Sequence, residues 1–309
     1  MAEIVICEFM DQAVVDETAQ TRDVIYDPEL VDNPDGLKRV LKGAKGLVVR
    51  NRTRVNAGLL AAAPHLKVVG RLGVGLDNID LAECKERGIT VCPATGANDV
   101  AVAEYVLCSV LTLIRGAYGA RTHMLAGEWP RHRLMGNEIG DKTLGLIGFG
   151  GIARQTAVRA RALGMNILAF DPYLSATDPC WKSAVRCEAL AGLLEESDVV
   201  SLHVPLTKST HHLINTETIG LMKDGAIVIN AARGGVVDEA ALVEALKSEK
   251  LGGAALDVFE TEPLTEEAAS SFTSIANIIL TPHIAGVTIE SNIRVSRLTM
   301  QNVCRVLEE

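Results

Sequence analysis

Residues 143–173 read TLGLIGFGGIARQTAVRARALGMNILAFDPY, and this stretch decides how the chain folds. An apolar run meets a glycine-rich turn, a helical pattern follows, and a second apolar run ends on an acid. That order predicts a strand, a helix and a parallel strand, the unit from which α/β sheets are built. Gly148-Phe149-Gly150-Gly151-Ile152-Ala153 fits G-x-G-x-x-G/A at the strand-to-helix turn. Gly148 permits the tight turn, Gly150 lets backbone approach a pyrophosphate, and Ala153 lets the helix pack close to the strand. The phosphates are expected on the helix N-terminus, where free N–H groups and the helix dipole favour negative charge. Asp171 lies 21 residues after Gly150. A carboxylate there can bond a ribose 2′-hydroxyl and would repel a 2′-phosphate, so the pattern predicts NAD rather than NADP.

Outward from this unit the rhythm repeats. Apolar runs at 4–7, 23–26, 46–49, 66–70 and 89–92 precede it, with helical patterns between them. Further runs, DVVSLHV, AIVINA, LGGAALDV and NIILTPH, follow it. Two α/β units with parallel sheets are predicted, with boundaries near 96–99 and 284–287. Between the two strand series, residues 98–129 read as two helices with Asn98 as N-cap. The first is apolar nearly all round, which suits a buried layer or a subunit interface.

The 309 residues carry 39 acidic and 30 basic side chains, a formal charge of −9, and 48% are hydrophobic. This balance argues against a nucleic-acid partner, which would call for a basic face. The N-terminus has no signal-peptide pattern, and the most apolar stretch, 100–114, is too short to span a bilayer, so a cytoplasmic protein without a membrane partner is expected. Seven scattered cysteines, with no Cys-x-x-Cys and no cysteine–histidine cluster, predict neither a disulfide framework nor a metal site.

Three segments each follow an apolar run and end in a residue suited to chemistry: Arg233 in VINAARGGVVDE, Glu262 in LDVFETEP and His283 in LTPHIAG. Ends of parallel strands are where ligand groups collect in an open sheet. An arginine fork binds a carboxylate, and a histidine exchanges a proton with a carbonyl or hydroxyl oxygen. A glutamate beside that histidine favours the imidazolium. The set suits hydride transfer between NAD and an α-hydroxy or α-keto acid.

With the glycine loop, this order resembles the D-isomer-specific 2-hydroxyacid dehydrogenases along nearly the whole chain. The motifs that carry the resemblance are GRLGVGLDNID (70–80), MGNEIGDKTLGLIGFGGIAR (135–154), LHVPLTKSTHHLIN (202–215), MKDGAIVINAARGGVVDE (222–239), GAALDVFETEP (253–263) and TPHIAG (281–286). The resemblance implies two Rossmann-like domains. Residues 98–286 would bind NAD, inserted into a flavodoxin-like substrate domain of residues 1–97 and 287–309. It implies catalytic roles for Arg233, Glu262 and His283. The implied cofactor contacts are Gly148, Gly150, Gly151, Ile152, Asp171, His203, Val204, Pro205, Ala231, Ala232, Arg233, Asp257 (on the nicotinamide amide), His283 and Gly286. The backbone at Val74-Gly75 would receive the substrate carboxylate, and the helix after Asn98 would serve as a hinge and homodimer interface. Two departures matter. Gly151 stands where many members carry arginine. Glu262 stands where formate-oxidising members carry glutamine, which argues against a formate enzyme.

One stretch asks for more than the family pattern supplies. In VVRNRTRV (48–55), Arg50, Arg52 and Arg54 recur every second residue. On an extended segment they would share one face, their repulsion offset by solvent or by a bound anion. Arg50 and Arg52 are therefore candidate substrate contacts for a second anionic group on the acid. Within the family, RNRT with RLGVGLDNID looks most similar to the branch acting on 3-sulfolactate. The alternatives are a phosphoglycerate or a hydroxypyruvate/glyoxylate enzyme and, from another class, an NAD-sensing co-repressor-like protein.

Overall fold

A computed structural model describes residues 2–309. The chain divides into two compact units, Met1–Asn98 with Val287–Glu309, and Asp99–Gly286.

In the first unit, β1 (Ile4–Ile6), β2 (Val24–Tyr26), β3 (Gly46–Val49), β4 (Val68–Arg71) and β5 (Thr90–Pro93) form one parallel sheet in the order β2-β1-β3-β4-β5. That is the flavodoxin-like order. Strands β1 and β3 are buried along their whole length, as their unbroken apolar runs require in a sheet covered on both faces. The crossovers carry α1 (Gln12–Ala19), α2 (Pro34–Leu41), α3 (Ala57–Leu60) and α4 (Leu81–Glu86). Asp11, Asn33, Asn56 and Asp80 cap them, each side chain accepting a first-turn N–H.

The second unit opens with α5 (Asp99–Arg115) and the short α6 (Arg121–Leu125). Its sheet contains β6 (Thr143–Ile147), β7 (Asn166–Phe170), β8 (Val185–Arg186), β9 (Val199–Leu202), β10 (Ala226–Asn230), β11 (Leu251–Leu256) and β12 (Ile278–Leu280). All seven run parallel in the order β12-β11-β10-β9-β6-β7-β8. Helices α7 (Gly151–Ala162), α8 (Leu190–Glu196), α9 (Thr216–Leu221), α10 (Glu239–Lys247) and α11 (Glu266–Ala269) connect the strands. One core gathers Leu193, Val200, Ile219, Val228, Leu242 and Leu256; the other gathers Val106, Val110, Leu144, Phe149, Ala157 and Ile167. Strand order reverses between β6 and β9, the switch point where such sheets bind ligands beyond their carboxyl ends. The last helix, α12 (Ile289–Glu308), is capped by Thr288 and packs on β4 of the first unit.

One local expectation fails. Asn98 does not cap α5: its buried Oδ1 has no hydrogen-bond partner among the described residues, and Asp99 supplies the negative charge at the helix start. The second helix expected within 98–129 is α6, only five residues long and preceded by a 3-10 turn, Ala117–Ala120, where Gly116 turns the chain at a φ of 61°. No single helix among the described residues is long and apolar enough to cross a membrane, although α5 with the bent segment after it meets that length and composition as a pair. Most of α5 is buried in the core of its unit.

Candidate active site

The glycine loop comes first, because its backbone is the part most constrained by sequence. Gly148 ends β6 with a φ of 85°, and a Cβ there would lie 2.5 Å from the His203 carbonyl oxygen. The β6 and β9 loops therefore touch through a glycine. Gly150 has an ordinary φ of −78°, and a Cβ there would meet no protein atom within 4 Å. No neighbouring protein atom demands glycine at 150. No side chain caps α7, so the first N–H groups of the helix are left without a side-chain acceptor. A side chain at Gly151 would run into the Asp99 carboxylate, whose burial raises it above the usual carboxylate range.

Asp171 follows β7 and joins two loops. Its Oδ2 accepts the Phe149 N–H at 2.9 Å and its Oδ1 the Tyr173 N–H at 3.0 Å. It remains partly exposed. His203 follows β9 with Val204 and Pro205; burial pushes its imidazole down to about 4, so the ring is neutral at pH 7 beside Ser201 Oγ at 3.1 Å. The uncapped helix, the open space at Gly150 and the carboxylate after β7 fit a dinucleotide with a free ribose 2′-hydroxyl.

The three candidate side chains, Arg233, Glu262 and His283, sit beyond three adjacent strands. Asn230, buried at the end of β10, takes the Ala232 N–H on Oδ1 (3.1 Å) and donates from Nδ2 to the Arg233 carbonyl (2.9 Å). This closes the turn through Ala231 and Ala232 that presents Arg233, whose Nη1 bonds the Ala232 carbonyl at 2.5 Å. Glu262, beyond β11, accepts the Phe259 N–H on Oε1 (3.0 Å) and meets His283 Nδ1 through Oε2 at 2.8 Å. A carboxylate only accepts, so Nδ1 carries the proton of this bond and Nε2 is the nitrogen left for chemistry. Burial pulls the Glu262 carboxyl upward. The His283 hydrogen bond and charge, the Phe259 N–H and the Arg233 charge together outweigh burial and hold it below its ordinary value.

His283 itself is held in the left-handed region, with a φ of 56°. For a residue other than glycine this costs about 1–3 kcal/mol and persists only where the surroundings enforce it. Asp257 provides the enforcement. Its carbonyl accepts the His283 N–H (2.8 Å), its Oδ1 accepts the Ile284 N–H (2.8 Å) and the Thr281 hydroxyl (2.6 Å), and its Oδ2 accepts the Ala285 N–H (2.7 Å). The sequence offered Asp257 as a cofactor contact; what it missed is this internal duty, invisible because the partners lie 24 to 28 residues away.

A pH test follows from the Glu262 pairing. A carboxyl depressed by folding stabilises the folded state above its unfolded pKa, ~4.3, and loses that contribution as pH falls through the lower folded value. Wild type should therefore exceed Glu262→Gln in urea midpoint at pH 7, with the gap closing below about pH 4.3. A gap that widens on acidification would contradict the pairing.

The first unit holds the remaining candidates, and here the expectation about the arginines is corrected. Residues 50–54 are not extended but wrap around the buried Glu8 carboxylate. Its Oε1 accepts the N–H groups of Arg50 and Thr53 (both 2.9 Å), and its Oε2 those of Asn51 (3.3 Å) and Arg52 (3.1 Å). The alternation rule fails because the backbone curls, and the Arg50 and Arg52 guanidinium groups find separate partners. Arg50 lies over the Phe9 ring and bonds the Phe9 carbonyl and Asn292 Oδ1 (3.2 Å), while Arg52 pairs with Asp32. Burial lowers Arg50 from its ordinary value, with the Glu8 charge opposing. Asp32 thus offsets the Arg52 charge from within the chain. Val74 and Gly75 lie in the turn after β4, and neither N–H has an acceptor among the described residues.

Among the described residues no cluster of three or more His, Cys, Asp or Glu side chains could hold a metal ion.

Beyond these strand ends the chain has the parts of an NAD-linked dehydrogenase, and it belongs to the D-isomer specific 2-hydroxyacid dehydrogenases: the model of that family's NAD binding domain matches residues 107–285. The chain is 53% identical over 307 residues to the (S)-sulfolactate dehydrogenase of Chromohalobacter salexigens, covering 99% of each chain. It is 43% identical to the hydroxypyruvate reductase of Thermotoga maritima, covering 88% of each. Among solved structures, the D-lactate dehydrogenase of Aquifex aeolicus, in complex with NAD and lactic acid, superposes with a TM-score of 0.83 at 32% identity, covering 99% of this chain and 95% of that one. The protein is an NAD-dependent oxidoreductase acting on the CH–OH group of a 2-hydroxy acid.

Proposed function

We propose that the chain interconverts a 2-hydroxy acid and its 2-oxo acid, and that the preferred acid bears a second anionic group, with 3-sulfolactate as the leading case. The observation that carries the chemistry is the 2.8 Å bond between Glu262 and His283 Nδ1, which leaves Nε2 to a ligand. In oxidation, His283 Nε2 takes the proton of the C2 hydroxyl, and in reduction it returns the proton to the carbonyl oxygen. Glu262 keeps the ring oriented and stabilises its charged form. Arg233 grips the carboxylate through its donor fork. Bound NAD supplies the hydride acceptor. Gly148, Gly150, Gly151, Ile152 and Asp171 hold its phosphates and ribose, and the loops at 203–205, 231–232, 257 and 286 complete its seat.

A second anion is supported by the Arg50 guanidinium, whose bonds run to neutral oxygens of Phe9 and Asn292, and by the sulfolactate-acting relative. Arg52 is already paired with Asp32, so Arg50 should carry most of the effect. A panel of 3-sulfolactate, lactate, 3-phosphoglycerate and hydroxypyruvate, followed at the reduced-nicotinamide absorbance, tests the reading. Sulfolactate should give the highest kcat/KM. Arg50→Ala should lower kcat/KM on sulfolactate by about 10- to 100-fold, the value of a charge-assisted hydrogen bond, and on lactate by less than about threefold. Equal losses would remove the second-anion pocket. Tight NAD binding with no turnover of any acid would favour the sensor.

The same reading has the protein working in the cytoplasm as a homodimer. Exposed Leu111, Tyr118, Leu125 and Trp129 give its second unit an apolar surface for a second copy.

A further inference from the structure

Tyr105 is absent from every motif above, yet it is joined by hydrogen bonds to the loop that carries His283. It stands on α5, nearly two turns into the helix, partly buried. Its hydroxyl lies 2.7 Å from Thr281 Oγ1, and Thr281 Oγ1 lies 2.6 Å from Asp257 Oδ1. The direction of this chain of bonds is fixed by its end. An ionised carboxylate only accepts, so the single Thr281 hydroxyl proton goes to Asp257, and Thr281 must accept from Tyr105. Burial raises the Tyr105 phenol above its ordinary value, with the Asp257 charge adding and the Thr281 bond opposing, which keeps the donor protonated.

We propose that Tyr105 is a positioning residue of the dehydrogenase reaction, acting through Thr281 on the Asp257 carboxylate that holds the His283 loop. This rests on the acid–base role given to His283. His283 sits at a φ of 56°, a conformation its own chemistry does not favour, and the bonds that keep it there converge on Asp257. Asp257 Oδ1 is the oxygen shared by Thr281 and Ile284. A Thr281 hydroxyl already accepting from a phenol is polarised and donates more strongly to that oxygen. Without the phenol, Thr281 can rotate its hydroxyl elsewhere, and the loop between β12 and Gly286 loses part of its anchor. Helix α5 thereby sets the aim of a ring carried by the far edge of the sheet, and geometry at the reacting atoms is sensitive to small displacements.

Tyr105→Phe keeps the ring and removes only the donor. It should lower kcat by about fivefold, the kinetic equivalent of one neutral hydrogen bond, with the NAD Kd unchanged within about twofold. Thr281→Val should cost about 10- to 50-fold, because Asp257 then loses its donor as well. Thr281→Ser, which restores the hydroxyl, should recover most of that loss. The double variant Tyr105→Phe/Thr281→Val should be no slower than Thr281→Val alone, since both act through one bond. Losses that multiply would overturn the relay. So would Tyr105→Phe at wild-type kcat while His283→Ala collapses turnover. If His283→Ala itself turned over normally, the acid–base reading would fail first, a separate and recognisable result.

Discussion

Replacing His283 with alanine is expected to lower kcat by about 10²–10⁴-fold, the range a single positioned acid–base group supplies. The expectation follows from the bond network. Glu262 holds Nδ1, so the only nitrogen that can exchange a proton with the substrate oxygen is Nε2, and alanine removes it. The loop should survive the change, because the bonds that fix it run from backbone N–H groups to Asp257 and not through the imidazole. NAD affinity, read by quenching of reduced-cofactor fluorescence, should therefore stay within about threefold of wild type, since no buried contact of the glycine loop is touched. Turnover retained in His283→Ala would remove the role. Loss of NAD binding in step with turnover would instead mean that the loop had collapsed.

The second large effect divides two glycines that a motif treats alike. Gly150→Val should fold normally and lose about 100-fold or more in NAD affinity. Its φ suits any residue and a Cβ meets no protein atom, but the valine occupies the space a pyrophosphate must enter. Gly148→Val should fail differently. A β-branched residue at a φ of 85°, with Cβ against the His203 carbonyl, should destabilise the fold by about 3 kcal/mol or more. Thermal unfolding without cofactor, followed by NAD titration of whatever folds, separates the two. Wild-type NAD affinity in Gly150→Val would contradict the placement of the phosphates.

These contrasts mark what was legible in the sequence. The strand–glycine–helix–strand–acid order at 143–173 was readable because every contact it encodes is local, and the placement of Arg233, Glu262 and His283 beyond neighbouring strands was readable because each follows an apolar run. Where the sequence misled, the deciding partner was distant. Nothing in VVRNRTRV announces that a carboxylate more than 40 residues earlier will gather four of its backbone N–H groups, so alternation suggested a shared face that the curled loop does not have. Asn98 looked like a cap because its type and place were right, but the backbone leaves its oxygen unpartnered. Asp257 and Tyr105 owe their importance to bonds spanning 24 and 176 residues, which no periodicity can carry.

The central claim is that Arg233 and His283 serve the two ends of one 2-oxo acid. It is tested most directly by a crystal structure with NAD and an unreactive 2-oxo acid analogue such as oxamate. The account predicts the analogue's carboxylate on the Arg233 guanidinium and its keto-equivalent oxygen about 2.8 Å from His283 Nε2, in ordinary hydrogen-bond range. An analogue bound with its carboxylate away from Arg233, or with His283 Nε2 facing no ligand oxygen, would contradict it.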